Sequence, residues 1–151
     1  MDSNAWVVEG IALAGLEEYE KALKAFDKAL EIYAQYMDAE DIETAHLLRE
    51  MAEIYVAKDQ LEEAENFINR SLKILQDRNH VEAYKSLETL GEIYVTRALD
   101  TQDGQASQHL TTQALDTFHQ ALKITAQNFP ETSVHIQRIQ SKIKIIEKQN
   151  F

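Results

Sequence analysis

Residues 19–32 read YEKALKAFDKALEI, with alanines at 22, 25 and 29 set around the single ring of Phe26. A buried helix face normally carries bulk, so small residues beside one aromatic ask for a reason. Two further stretches repeat the arrangement: LEEAENFINRSLKI at 61–74 and TTQALDTFHQALKI at 111–124. Aligned, they give one column that is always alanine (Ala22, Ala64, Ala114) and one always large (Phe26, Ile68, Phe118). A third column is always small (Ala29, Ser71, Ala121), and a fourth is always leucine (Leu30, Leu72, Leu122).

Each copy follows a second repeated pattern. LLREMAEIYVAK at 47–58 matches SLETLGEIYVTR at 86–97, and AWVVEGIALAGL at 5–16 is a more diverged first copy. Its Trp6, Gly10 and Leu13 align with Leu48, Ala52, Tyr55 and with Leu87, Gly91, Tyr94. The central column is again small. Gly, Ala and Ser let one helix backbone approach another, and the large residues fill the hollows so formed. One such pair buries little apolar surface alone, whereas stacked pairs share a core.

These columns resemble the tetratricopeptide repeat, whose pattern W-x2-L-G-x2-Y followed by A-x3-F-x2-A is matched by Trp6, Gly10, Ala22, Phe26 and Ala29 in the first copy. Leu48, Met51, Ala52, Tyr55, Ala64, Ile68 and Ser71 supply the second copy, and Leu87, Leu90, Gly91, Tyr94, Ala114, Phe118 and Ala121 the third. Glu9 stands where the family usually has leucine. The first helices recur at 42 and 39 residues, longer than the usual repeat and similar to kinesin light chain and bacterial peptide-sensing regulators. The resemblance implies an all-α, TPR-like α-α superhelix with three helix pairs and a C-terminal capping helix, in one domain spanning 1–151. Repeats are expected at about 3–36, 45–78 and 84–127.

Composition agrees with helices throughout: four glycines, one proline, and an abundance of good helix formers. The helix pairs are expected at 3–15 and 18–36, 41–57 and 60–77, and 81–99 and 105–127. Asp2 or Ser3 is a candidate cap for the first helix and Asp59 for the fourth. A last helix is expected at 131–148, where Ile136, Ile139, Ile143 and Ile146 form one stripe and Arg138, Gln140, Lys142 and Lys148 the wet face. The Gly10–Ala22 and Ala52–Ala64 separations are both 12, but Gly91–Ala114 is 23. Eleven residues are thus inserted near 100–110, with Gly104 as the expected turn and each flanking helix longer by roughly a turn.

The net charge is −11, carried by residues 1–104, while 105–151 is slightly basic. An acidic body disfavours nucleic acid and anionic membrane surfaces as partners. The lack of cysteine excludes a disulfide framework. No stretch approaches the ~18 apolar residues of a membrane span, and the start reads as no secretory leader, so a cytoplasmic protein is expected. No Gly-rich phosphate loop, nucleophile elbow or metalloprotease motif occurs, so no enzyme and no cofactor is expected. Glu43-Thr-Ala-His46 and Asp116-Thr-Phe-His119 have the spacing of helical metal ligands. The repeat register puts the two on opposite surfaces, so a metal protein using Glu43 and His46 is the unfavoured alternative. His80, His109 and His135 fall in turn, insertion and cap and are expected exposed.

The tetratricopeptide resemblance implies that first helices line a concave groove. Its lining would be Asn4, Val7, Val8, Ile11 and Ala14 in copy one, His46, Arg49, Glu50, Glu53 and Val56 in copy two, and Lys85, Glu88, Thr89, Glu92 and Thr96 in copy three. The Lys/Asn/Arg clamp of chaperone-docking relatives is missing. Val7, Ile11, Arg49, Glu53, Glu88 and Glu92 stand in its places, so chaperone tails are not expected. The groove is apolar at one end and acidic at the other, which suits a protein or peptide with apolar and basic residues. Val7, Val8 and Ile11 face away from the core side of Trp6, which also suggests self-association through the first repeat. A peptide-sensing domain of a bacterial regulator is the alternative use of the same scaffold.

Overall fold

The computed structural model describes residues 2–36 and 41–149. Among the described residues there are seven helices: α1 (Ser3–Gly15), α2 (Tyr19–Tyr36), α3 (Ile42–Ala57), α4 (Leu61–Asp77), α5 (Ala83–Asp100), α6 (Gly104–Asn128) and α7 (Val134–Gln149). They form two compact units, Met1–Ile74 and Leu75–Phe151.

In the first unit the small columns act as sockets. A Cβ added to Gly10 of α1 would lie 2.4 Å from the ring of Phe26 on α2, so only glycine admits that ring. Phe26, Ala22 and Ala29 are fully buried and form a core with Leu23, Tyr33, Leu47, Met51 and Ile54. Between α3 and α4, buried Ser71 donates its hydroxyl to the Ala45 carbonyl at 2.7 Å, so its polar group is satisfied where the neighbouring repeats place alanine. Tyr55 stacks on Phe67 at 5.2 Å, and Lys58 reaches Glu20.

The second unit repeats the device. A Cβ at Gly91 of α5 would stand 2.6 Å from the Phe118 ring of α6. Where the large residue is Ile68 instead of a ring, the socket is Ala52, and both are fully buried. The Ile136, Ile139, Ile143 and Ile146 stripe of α7 is buried as its spacing predicts.

The turns hold the main corrections. Asp2 caps α1 by accepting from Ala5 N at 2.8 Å. Asp59 does not cap α4. It has φ 59° and ends α3, its N–H reaching Val56 O while Gln60 N reaches Tyr55 O. Glu17 after α1 and Asn79 after α4 close their helices in the same way, with φ 61° and 49°. Glu17 N reaches Ala14 O and Glu18 N reaches Leu13 O; Asn79 N reaches Gln76 O and His80 N reaches Leu75 O. This paired closure satisfies carbonyls that the helix end would otherwise orphan.

The insertion is helix, and Gly104 is not its turn. Asp103 caps α6 through Gln105 N at 3.0 Å, and Gly104 is the first helical residue. By the repeat alignment α3 ends at the match to Thr96, and α5 runs four residues past it. The start of α4 matches Thr111, and α6 begins seven residues before it. The connection stays at three residues in both pairs: Lys58–Gln60 and Thr101–Asp103. Ala98 is buried, and Ser107 donates to its carbonyl at 3.0 Å, which fastens the lengthened tips together. The last helix begins at Val134, later than residue 131, with Ser133 Oγ accepting from His135 N.

Candidate functional site

The first-helix faces divide by unit. In the first, Asn4, Val8 and Ile11 are exposed, the latter two at 67% and 49%. Val7 departs from the expectation: with Ala14 it is half-buried against the Phe26–Met51 core, because α1 also touches α3. On α3, His46, Arg49, Glu50 and Val56 are half-buried and Glu53 is exposed. Arg49 donates to Glu53 at 3.1 Å and lies 3.6 Å from Glu50, so this acidic pair is partly neutralised along its own helix.

In the second unit α5 carries a different arrangement. Glu88 is only 8% exposed and Thr89 is buried; Lys85 and Thr96 are half-buried and Glu92 is exposed. Lys85 pairs with Glu82 at 3.1 Å, and the hydroxyls of Thr89 and Thr96 donate to the carbonyls of Lys85 and Glu92 four residues earlier. Glu88 receives a fork from α7: Arg138 Nε donates to Oε2 at 2.9 Å and Nη2 to Oε1 at 2.6 Å. Lys142 donates to Glu88 at 2.5 Å and also to Glu92. Two carboxylates one helical turn apart thus meet two cations one turn apart. Burial alone pushes the Glu88 carboxyl up, but the hydrogen bonds from Arg138 and Lys142 outweigh it and hold the group below its usual 4.5. Burial pulls Lys142 down, and its bonds to Glu88 and Glu92 carry it above its usual 10.5.

Of the expected wet face, Arg138 stays exposed while it forks Glu88, and Lys142 is half-buried over Glu88. The signal was present: Glu88/Glu92 and Arg138/Lys142 are both i, i+4 pairs of opposite charge. The histidines differ too. His80 is half-buried and its Nδ1 accepts from Glu82 N at 3.1 Å, closing the start of α5. His135 is half-buried between Tyr84 and Phe129, beside Arg138. His109, Asp116 and His119 are exposed. Among the described residues no three His, Asp or Glu side chains gather as a metal site would need. None of the described helices is long and apolar enough to cross a membrane.

Residues 3–77 match the family model of the tetratricopeptide repeat. Over those residues the chain belongs to the tetratricopeptide repeat family. Among proteins of curated function none matches. Similar solved structures include the N-terminal domain of stress-induced protein-1 (STI-1) from C. elegans, at 18% identity and TM-score 0.64, covering 96% of this chain and 94% of that one. A putative kinesin light chain from Podospora anserina with TPR-like repeats gives 15% identity and TM-score 0.72, over 98% of this chain and 66% of that one. The Sgt2 TPR domain from Aspergillus fumigatus gives 19% and 0.63, over 98% and 81%. At these identities the likeness establishes the fold alone: an all-α tetratricopeptide architecture.

Proposed function

We propose that this tetratricopeptide repeat chain is a non-enzymatic adaptor whose first-helix faces take a protein segment carrying apolar and basic side chains. The observation that supports it most is α7. That helix presents isoleucines on one stripe and Arg138 and Lys142 beside it, and the α5 face receives it through Glu88 and Glu92. A helix with two cations one turn apart is thus what an acidic first-helix face already accepts. In the first unit the corresponding lining is Asn4, Val8 and Ile11 on α1, with His46, Arg49, Glu50 and Glu53 on α3.

The test titrates a synthetic peptide of the α7 sequence, VHIQRIQSKIKIIEKQ, into the intact chain by calorimetry. Saturable binding is expected, weakened at least about tenfold, or ~1.4 kcal/mol, by Glu50→Lys with Glu53→Lys. Unchanged affinity in that double variant removes the acidic lining from the proposal. Light scattering over a concentration series separates the competing use of Val8 and Ile11, self-association, from capture of another protein.

A further inference from the structure

The first unit carries a second surface that the proposed adaptor face does not use. Between α1 and α2 lies an open depression of about 430 Å³. Its floor is Trp6, Leu13 and Ala25, and its walls are Lys21, Lys24 and Lys28 on α2 with Glu9 on α1. Trp6 and Leu13 remain half-buried although both touch the core, so each keeps part of its apolar surface on the depression. The volume is in the range that holds several apolar side chains.

The charge around it is anomalous. Residues 1–74 contain 17 Asp/Glu and only seven Lys/Arg, yet three of those seven border this one feature. They fall at 21, 24 and 28, one stripe of a helix. All three are exposed, and Lys21 has an exposed partner in Glu18 at 3.0 Å, a pair of small energetic weight that an incoming carboxylate can replace. A lysine row flanking an apolar trough on an acidic body is complementary to one kind of occupant.

We propose that the α1–α2 depression docks an acidic amphipathic helix of another protein. Its apolar stripe rests on Trp6, Leu13 and Ala25, and its carboxylates face Lys21, Lys24 and Lys28. A second copy of this chain using the same surface is disfavoured, because a two-fold contact sets each lysine row against the other. The surface is separate from the Glu50/Glu53 lining, so the two proposals fail independently.

The chain provides its own reporter, since Trp6 is its only tryptophan. The probe is a tryptophan-free amphipathic peptide of about 18 residues, five helical turns, with leucine on one face and glutamate on the other. Added to the intact chain, it is expected to shift Trp6 emission to shorter wavelength in a saturable way, more weakly as salt is raised. Lys21→Glu, Lys24→Glu and Lys28→Glu together should weaken binding at least tenfold, with helicity by circular dichroism unchanged. The same peptide with glutamine for glutamate should lose a similar factor on the unaltered chain, an arm that does not depend on the variant folding. Glu50→Lys with Glu53→Lys should leave the titration unmoved. No saturable Trp6 shift overturns the proposal, as does equal affinity for the charge-reversed variant or the glutamine peptide. A Trp6 shift that appears on concentrating the chain alone, with a doubled mass in sedimentation, assigns the surface to a second copy and also overturns it.

Discussion

Two kinds of residue carry the scaffold: hollows and left-handed closures. At Gly91 the Phe118 ring, itself 1% exposed, leaves no room for a methyl group. Alanine there gains about 1 kcal/mol of helix propensity, but overpacking a filled core costs roughly 1–3 kcal/mol. Gly91→Ala is therefore expected to destabilise by up to about 2 kcal/mol in urea melts, and a gain in stability would show that the ring can move aside. This hollow was legible from the residues alone, because the chain varies both sides together: Gly10 with Phe26, Gly91 with Phe118, and Ala52 with Ile68. The closures were not legible. Glu17, Asp59 and Asn79 have nothing in common but polarity, and Asp59 has the chemistry of a helix start. Only the chain reversal between successive helices forces φ positive there. Relieving that strain, about 1–2 kcal/mol, outweighs the flexibility of glycine in the unfolded chain. Glu17→Gly should accordingly raise stability by about 0.5–1 kcal/mol. Asn79→Gly should gain less, because asparagine already tolerates that backbone.

At the scale of the element, α7 packs on α6, buries an apolar stripe and is tied to α5 by an ionic clasp. Periodicity located the stripe and the helix, but not the clasp, since a hydropathy pattern says nothing about which charged side chains wrap inward. Glu88 is nearly excluded from solvent, while Arg138 and Lys142 keep 41% and 26% of their side-chain exposure. Removing the carboxylate takes the fork from Arg138 and leaves Lys142 with Glu92, and Glu88→Gln should cost about 2 kcal/mol at neutral pH, the scale of a hydrogen bond to a charged group. The pH dependence follows from the two shifts. Glu88 sits below its usual 4.5, so its contribution is complete above that value and is lost as pH falls through the lower folded pKa. Lys142 sits above its usual 10.5, so its share is complete below that value and is lost as pH rises through the folded pKa. Melts of the natural chain and of Glu88→Gln should therefore converge in acid. A gap that persists unchanged below the Glu88 pKa would mean that packing, not charge, holds the helix. The insertion belongs to this scale as well. Spacing showed eleven extra residues; that they became four residues of α5 and seven of α6 around an unchanged three-residue turn needed the backbone.

Across the whole molecule, the family was readable because three copies agree in residue size at fixed spacing, and a mean identity below 20% to similar folds does not weaken that pattern. The lining residues were less readable. Register places Val7 and Glu88 on an open surface, yet Val7 is half-buried against the core and Glu88 is covered by the last helix. Surface positions of a repeat protein are free to vary, so register fixes where a side chain starts but not what comes to meet it. One outcome of that meeting concerns electrostatics at long range. Residues 134–149 hold four Lys/Arg and one Glu in a chain of net charge −11. A protease nick in the exposed Pro130–Glu131–Thr132 connector, followed by loss of the severed helix, would unmask Glu88 and Glu92 together and leave a remnant more acidic by three charges. The cleaved form would elute later from an anion exchanger and present a newly bared anionic strip to any cationic protein nearby.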